Sequence, residues 1–336
     1  MKGEAMANPG PRNLITDVEG ILVGNAQQPS IATGVSVICP DARSVCAAHV
    51  AGGGPGTRET DALKLGTLVD DVDAVVLSGG SVYGLAAADG VIAEMGAEGK
   101  GFGLMDVAGV PRSPVVPSAI LYDLANGGDK AWGAHPPYAA LGREAYHACA
   151  SDFAIGKSGA GYGAQAGALP GGLGSASIVT EDGFSVGALV AVNCFGSVKL
   201  PNSDAFWAAP FERDQEFGNI PYPQTFSFDP EDWGQAKANP GARANTTIAC
   251  IATNAALTPS QTQRLADMAV AGMARAIRPV FAPFDGDVVF ALSTAKKPLD
   301  APEPMQLARL GELAASTLAR AIARGVYEAG RENLTA

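Results

Sequence analysis

The sequence predicts an α+β protein, because apolar runs typical of buried strands occur together with segments of helical periodicity. Short β-branched runs such as residues 33–38 and 247–253 are bounded by glycine, proline or polar residues, as strands are. Leucine, isoleucine and alanine recur at helical spacing over residues 303–327. A chain of 336 residues can also bury a large core.

The same patterns predict the individual elements in chain order. Strands are predicted at residues 14–18, 20–24, 33–38, 44–50, 72–77, 115–124, 175–180, 185–192, 247–253 and 284–292. Helices are predicted at residues 83–95, 139–150, 259–276 and 303–327. Ser81 is the expected N-cap of the first helix, and Thr258-Pro259-Ser260-Gln261 is a capping-box start for the third. Residues 197–245 show neither pattern, and a loop this long is usually functional or disordered.

The bulk composition excludes several classes of function. A net charge of −11 argues against binding to nucleic acid or to an anionic membrane surface. Five cysteines without C-x-x-C spacing are typical of a reducing compartment, and three scattered histidines do not predict a zinc site. The N-terminal residues lack a signal core, and no apolar run is long enough to span a bilayer. We therefore expect a soluble cytoplasmic protein without metal or cofactor.

A hydroxyl residue follows an asparagine where the long loop meets a predicted strand. These residues alone are typical of ordinary threonines at the start of a strand. If the Asn245–Thr246 bond were cut, however, Thr246 would carry both a nucleophile and an α-amine. The reference pKa of such an amine, about 7.7–8.0, lets it act as the general base for its own hydroxyl.

Other polar residues lie at the ends of predicted strands. Asp285 and Asp287 flank a glycine before a strand, either as a solvated hairpin turn or as a pair that orients a nucleophile and binds an ammonium group. Asn193 ends a strand with an amide that can donate two hydrogen bonds. Tyr122 is either a core residue or directs its hydroxyl into a pocket, and Gly159 and Gly161 begin a glycine-rich loop accessible to ligands.

Several separate motifs, in order along residues 14–330, resemble the DmpA/BapA family of self-processing aminopeptidases. The motifs are Gly53-Gly54-Pro55-Gly56-Thr57-Arg58-Glu59-Thr60-Asp61, Leu77-Ser78-Gly79-Gly80-Ser81-Val82-Tyr83-Gly84-Leu85, Val116-Pro117-Ser118-Ala119-Ile120-Leu121-Tyr122-Asp123-Leu124, Gly159-Ala160-Gly161, Asn245-Thr246-Thr247-Ile248, Ala252-Thr253-Asn254-Ala255 and Phe284-Asp285-Gly286-Asp287. The junction between Asn245 and Thr246 and the Asp285-Gly286-Asp287 motif are most similar to the nylon-oligomer hydrolase (NylC) branch of this family. One position departs from that branch, which has a lysine where this chain has Ala168.

The resemblance implies a four-layer αββα sandwich, formed by one DmpA-like domain over residues 1–336. It implies autocleavage between Asn245 and Thr246 into an alpha chain, 1–245, and a beta chain, 246–336, which assemble as a homo-oligomer of processed heterodimers. The implied catalytic residues are Thr246 as nucleophile, Asn193 for the oxyanion, and Asp285 with Asp287. Tyr122, Gly159 and Gly161 are the residues predicted to bind the substrate.

The predicted function is that of an N-terminal-threonine hydrolase. It would cut amide or peptide bonds at the amino end of its substrates, which would be small peptides or amino-acid amides and esters. Two alternatives remain open at this point. The chain could be an unprocessed protein that binds a small ligand on the same scaffold, or an acyltransferase that uses amine acceptors.

Overall fold

Two β-sheets stacked face to face form the centre of the protein in the computed structural model. The structure describes residues 7–105, 107–227, 229–237 and 245–335, and only the backbone of residues 332–335. The beginning of the chain, 1–6, and the segment 238–244, which ends the predicted long loop, lie outside this part of the chain.

The described residues form thirteen strands and five α-helices. The strands are β1 (Ile21–Gln28), β2 (Thr33–Pro40), β3 (Ser44–Val50), β4 (Thr57–Arg58), β5 (Asp71–Val72), β6 (Val75–Ser78), β7 (Ser118–Ile120), β8 (Gln165–Ala166), β9 (Leu169–Pro170), β10 (Gly172–Val179), β11 (Ser185–Asn193), β12 (Thr246–Ala255) and β13 (Val288–Lys297). The helices are α1 (Ala87–Ala97), α2 (Tyr138–His147), α3 (Pro259–Ala269), α4 (Ala271–Ala276) and α5 (Glu303–Thr335).

The described strands form two large sheets and one small hairpin. One sheet has the order β1-β2-β6-β7-β4, and the other has the order β10-β11-β12-β13-β3-β5. Strand β12 lies in the middle of the second sheet, antiparallel to β11 and parallel to β13. Strands β8 and β9 pair only with each other. Both edges of β12 are therefore occupied along its length.

Three apolar clusters separate four layers. Helices α1 and α2 cover the outer face of the first sheet, where Leu141 packs near Val37. Helices α3, α4 and α5 cover the outer face of the second sheet. Successive residues of β12 alternate between the layers: Cys250 lies between the two sheets, and Ile251 faces the helices. The αββα sandwich expected from the sequence is confirmed.

Three details of the predicted elements are wrong. Residues 14–18 form a 3₁₀ turn, Ile15–Asp17, because the Asp17 carboxylate accepts a hydrogen bond from Leu14 N–H (3.2 Å). The run 72–77 divides into two strands in different sheets at Asp73, whose buried carboxylate accepts a hydrogen bond from Val115 N–H (2.8 Å). Ser81 has a left-handed backbone (φ 53°) in a 3₁₀ turn and does not cap α1.

The capping box predicted for α3 is confirmed. The Thr258 hydroxyl accepts a hydrogen bond from Gln261 N–H, and the Gln261 side chain accepts one from Thr258 N–H. Among the helices that the structure describes, none has the length and apolar composition needed to cross a membrane. Over the described residues of 197–245, the only helical turn is Ala209–Phe211.

Candidate active site

The site lies at the edge of the second sheet where β12 begins. Thr246, the first residue of β12, is the direct cross-strand partner of Asn193, the last residue of β11. On the other side, Ile248 pairs with Val288 at the beginning of β13. Because these two strands are parallel, the residues that precede them meet at the same edge, and Asn245 forms a bridge with Asp285.

Two donors converge on the carbonyl oxygen of Asn245. Gly286 N–H donates a hydrogen bond to it at 3.1 Å, and the Thr246 hydroxyl donates a second, short one. Gly286 lies so close that a Cβ atom built on it would be 2.7 Å from Thr246 Oγ1. A glycine at 286 therefore leaves room for the hydroxyl beside the Asn245 carbonyl.

The two aspartates are buried next to the junction. Asp287 Oδ1 accepts a hydrogen bond from Thr247 N–H (2.6 Å), and Asp285 Oδ2 accepts one from Ala282 N–H (3.0 Å). Burial, reinforced by the neighbouring Asp285 charge, raises the pKa of Asp287 to about 7. Burial also raises the pKa of Asp285. The sequence-based alternative of solvated aspartates in a hairpin turn does not hold, since both side chains are almost completely inaccessible.

The glycine-rich segment 52–54 supports this aspartate turn. Gly54 N–H donates to Asp285 O (2.7 Å), and Gly52 N–H donates to Asp287 O (3.2 Å). A Cβ atom at Gly52 would be 2.2 Å from Asp285 O, so this backbone contact requires glycine. The segment thus lies against the protein's own backbone.

A cavity of about 380 Å³ opens beside Asn193. One hydrogen of the Asn193 side-chain amide is donated from Nδ2 to Tyr122 O (3.0 Å). The Oδ1 atom of the same amide accepts a hydrogen bond from Gln165 N–H (2.9 Å). Tyr122 is half-buried on the cavity wall, so it is not a closed core residue. The lining residues are Tyr122, Asp123, Ala125, Asn126, Gly163, Gln165, Gly167, Ala168, Asn193, Ala236 and Lys237.

Two charged residues of the cavity wall are not among the residues predicted from the sequence. The buried Asp123 carboxylate accepts hydrogen bonds from Thr33 Oγ1 (2.6 Å) and Gly80 N–H (2.7 Å), and burial raises its pKa. Lys237 Nζ donates to Asn193 O (3.3 Å), and burial lowers the pKa of its ammonium group to about 8. Asp123 lies inside the motif at residues 116–124, whereas Lys237 lies in the aperiodic loop, where no sequence pattern marks it.

Buried polar atoms without a partner among the described residues concentrate at the junction. They include both side-chain polar atoms of Asn245, Thr247 Oγ1 and Asp285 Oδ1. A buried polar group normally finds a partner, so a local group of exceptions is typical of a reactive or strained site.

The structure brings most of the predicted residues together, but not all of them. Thr246, Asn245, Asp285 and Asp287 are adjacent, and Asn193 connects them to the cavity that Tyr122 lines. Gly159 and Gly161 do not reach this cavity.

Both of these glycines are buried where other parts of the chain approach closely. A Cβ atom at Gly159 would be 2.2 Å from Ser36 Oγ, and one at Gly161 would be 2.0 Å from Leu173 N. The geometry therefore indicates a packing role for these two glycines, which were predicted from the sequence to bind the substrate.

Comparison with known proteins gives a consistent result. A profile of peptidase family S58 matches residues 13–334. An uncharacterized aminopeptidase of Mycobacterium tuberculosis (strain H37Rv) is 40% identical over 337 residues, which cover 94% of each chain. The 6-aminohexanoate-oligomer endohydrolase of Kocuria sp. (strain KY2) is 29% identical over 293 residues, covering 85% of this chain and 76% of that protein.

A solved structure supports the same fold. The L-aminopeptidase D-Ala-esterase/amidase of Ochrobactrum anthropi, described as a variant of the Ntn hydrolase fold, superimposes with a TM-score of 0.66 at 21% identity. The superposition covers 95% of this chain and 87% of that structure. Fold and relatives together define a hydrolase of the aminopeptidase class. The chain belongs to peptidase family S58, which confirms the resemblance that its motifs indicated.

Proposed function

We propose that this hydrolase cuts its own chain between Asn245 and Thr246 and then uses Thr246 as an N-terminal nucleophile. One observation carries the proposal. The Thr246 hydroxyl and Gly286 N–H both contact the Asn245 carbonyl oxygen, so a nucleophile and an oxyanion donor meet at the bond to be cut.

Maturation follows from this contact in two steps. The Thr246 hydroxyl attacks the Asn245 carbonyl carbon, and Gly286 N–H stabilises the charge that develops on the oxygen. The resulting ester is then hydrolysed, so that one domain of residues 1–336 becomes an alpha chain, 1–245, and a beta chain, 246–336. Before cleavage, Asn245 occupies the place that a substrate carbonyl would need.

Turnover uses the groups that cleavage releases. The freed α-amine of Thr246 serves as base for its own hydroxyl, and the Asn193 amide stabilises the tetrahedral oxyanion. Asp285 and Asp287 lie beside the new amine, where their carboxylates orient it or hold the amino end of the substrate.

The substrates we propose are small peptides and amino-acid amides or esters cut at the amino end. A cavity of about 380 Å³ has the size of a small-molecule site. The Mycobacterium relative bears the name uncharacterized aminopeptidase and the Kocuria relative the name 6-aminohexanoate-oligomer endohydrolase, and both names refer to the hydrolysis of amide bonds. A homo-oligomer of processed heterodimers remains a prediction.

The test is the intact mass of the purified wild-type protein, followed by assays of hydrolysis. Two fragments that meet between residues 245 and 246, with release of nitroaniline from aminoacyl nitroanilides, are the expected result. A 6-aminohexanoate oligomer in the panel compares the two substrate classes. An uncut, well-folded chain would refute self-processing and favour a ligand-binding protein. Products formed with added amines, in place of hydrolysis, would favour acyl transfer.

The buried Asp287 predicts a dependence of stability on pH. Its folded-state pKa of about 7 lies above the unfolded value of about 3.9, so the folded state holds the proton more tightly. Stability therefore falls as pH rises between these values. Between about pH 5 and about pH 8 the raised pKa lowers the free energy of unfolding by about 2–3 kcal/mol. In a Thr246→Ala background, Asp287→Asn is expected to abolish this fall. Urea unfolding at the two pH values measures this.

The exposed Asp300 provides a matched control for this experiment. Asp300→Asn removes one carboxylate from the surface and keeps Asp287, so it is expected to retain the original pH dependence. If Asp287→Asn retained it too, the raised pKa of Asp287 would not be the cause.

A further inference from the structure

Lys237 is held at the site by the segment that precedes the junction. Its backbone N–H donates to Phe195 O (3.0 Å), and its ammonium group donates to Asn193 O (3.3 Å). Two residues earlier, Gln235 O accepts a hydrogen bond from Ala168 N–H (2.7 Å). The segment 235–237 is therefore anchored to the end of β11 and to the hairpin next to it.

The Lys237 amine lies near the atoms that react. Asn193, whose carbonyl it contacts, is the direct cross-strand partner of Thr246. The Asp285 charge also acts on the Lys237 ammonium, which indicates that the two groups are close. Lys237 and Asn193 line the same cavity. A long, flexible side chain thus places an amine at the residue opposite the nucleophile.

Maturation requires a base that Thr246 cannot supply. Before cleavage its nitrogen is part of the amide bond to Asn245, so it has no basic lone pair. The amine that serves turnover does not yet exist. Asp287 and Asp285 are the other candidates: one oxygen of each accepts a hydrogen bond from a backbone N–H, and the Asp287→Asn comparison below tests the more deeply buried of the two. The chain's three histidines are not among the residues that line the cavity. Lys237 is an amine that contacts the direct strand partner of Thr246.

We propose that Lys237 is the general base of the self-cleavage step, acting directly or through one water; this rests on the proposed function. Its neutral amine takes the proton of the Thr246 hydroxyl while Oγ bonds to the Asn245 carbonyl carbon. The tetrahedral intermediate collapses as the carbon–nitrogen bond breaks, and the Lys237 ammonium returns the proton to the leaving nitrogen of Thr246. Water then cleaves the ester, which releases the Asn245 carboxylate and restores the hydroxyl.

The acid–base properties of Lys237 suit this role. A solvent-exposed lysine has a pKa of about 10.4, and little of its amine is neutral at physiological pH. Burial lowers the pKa of Lys237 to about 8, so a substantial fraction is neutral and its conjugate acid can still return the proton.

The pH dependence of cleavage in uncut precursor tests this proposal. Cell-free synthesis at low pH supplies the precursor, and a jump to a series of higher pH values starts the reaction. The wild-type rate is expected to rise with pH and level off above about 8. Lys237→Met is expected to slow cleavage about 10²-fold or more and to lose this rise. The Thr246 α-amine cannot cause the rise in rate with pH, because this amine forms only on cleavage.

A second variant separates proton transfer from a structural role. Lys237→Ala leaves space for a small amine, so added ethylamine is expected to restore cleavage in proportion to its neutral form. Lys199→Met is the matched control: it removes an amine from the same loop, where Lys199 pairs with the exposed Asp204 (3.0 Å). This control is expected to cleave at the wild-type rate.

The outcomes distinguish this inference from the proposed function. If the wild type cleaves but Lys237→Met cleaves equally fast with the same pH midpoint, Lys237 is not the base. If Lys237→Ala is folded but added ethylamine does not restore its cleavage, Lys237 is likewise not the base. If the rise with pH is lost in Asp287→Asn but kept in Lys237→Met, the base is the Asp287 carboxylate and not Lys237. If the wild-type precursor never cleaves, the proposed function itself fails.

Discussion

Thr246→Ala is expected to remain a single chain of 336 residues and to hydrolyse no aminoacyl nitroanilide. Alanine removes the hydroxyl that contacts the Asn245 carbonyl, and with it the nucleophile of both reactions. It keeps the backbone pairing of β12 with β11 and β13, so the fold is retained. Intact mass and the hydrolysis rate, measured on the same preparation, give the result.

The adjacent Thr247 is a close control for this substitution. It is also buried at the start of β12, and its Oγ1 has no partner among the described residues. Thr247→Val keeps the β-branched shape that suits a strand and removes only the hydroxyl. We expect it to cleave and to hydrolyse as the wild type does. Cleavage between 245 and 246 in Thr246→Ala, or its loss only in Thr247→Val, would show that the wrong threonine was chosen.

The sequence was sufficient for the core of the fold because its strongest patterns come from burial. The run that forms β12 is fully buried on both faces, which is why it reads as a continuous apolar segment. Where a polar side chain bonds to the backbone, the pattern misleads. Asp17 turns an apparent strand into a 3₁₀ turn, and Asp73 divides one apolar run between two sheets.

The site was predictable only where function needs a particular side chain. Thr246, Asn193, Asp285 and Asp287 have chemistry that draws attention in a sequence. Their proximity depends on the order of strands in the second sheet, which local patterns do not specify. Gly286 contributes a backbone N–H, a group that every residue but proline has, so nothing in the sequence distinguishes it as a donor.

Glycine-rich motifs posed a different problem. A glycine can permit close approach of a ligand or of the protein's own backbone, and the sequence is the same in both cases. Gly159 and Gly161 are the second kind, because a Cβ atom on either would overlap with neighbouring protein atoms. Lys237 was missed for the opposite reason: its loop has no periodicity, and only the fold brings it to Asn193.

Asn193→Ala is expected to lower the turnover of processed enzyme by about 10²–10³, mainly through kcat, and to lower the rate of self-cleavage as well. The cause is the loss of a donor to the oxyanion, which forms only in the transition state. Asn193 also supports the cavity wall, through bonds to Gln165 N–H and Tyr122 O. A fall in activity alone would therefore not show which function of the amide matters.

Asn193→Asp separates the oxyanion role from the bond to Gln165 N–H, and like Asn193→Ala it removes the bond to Tyr122 O. Aspartate keeps an acceptor oxygen for Gln165 N–H but replaces the NH₂ donor with a second acceptor, which repels a developing oxyanion. If the amide stabilises the oxyanion, Asn193→Asp is expected to lose at least as much kcat as Asn193→Ala, measured on fully processed protein. If Asn193 only anchors Gln165, the aspartate variant should retain nearly full turnover. That result would transfer the oxyanion role to Gly286 N–H, the donor that already contacts the Asn245 carbonyl.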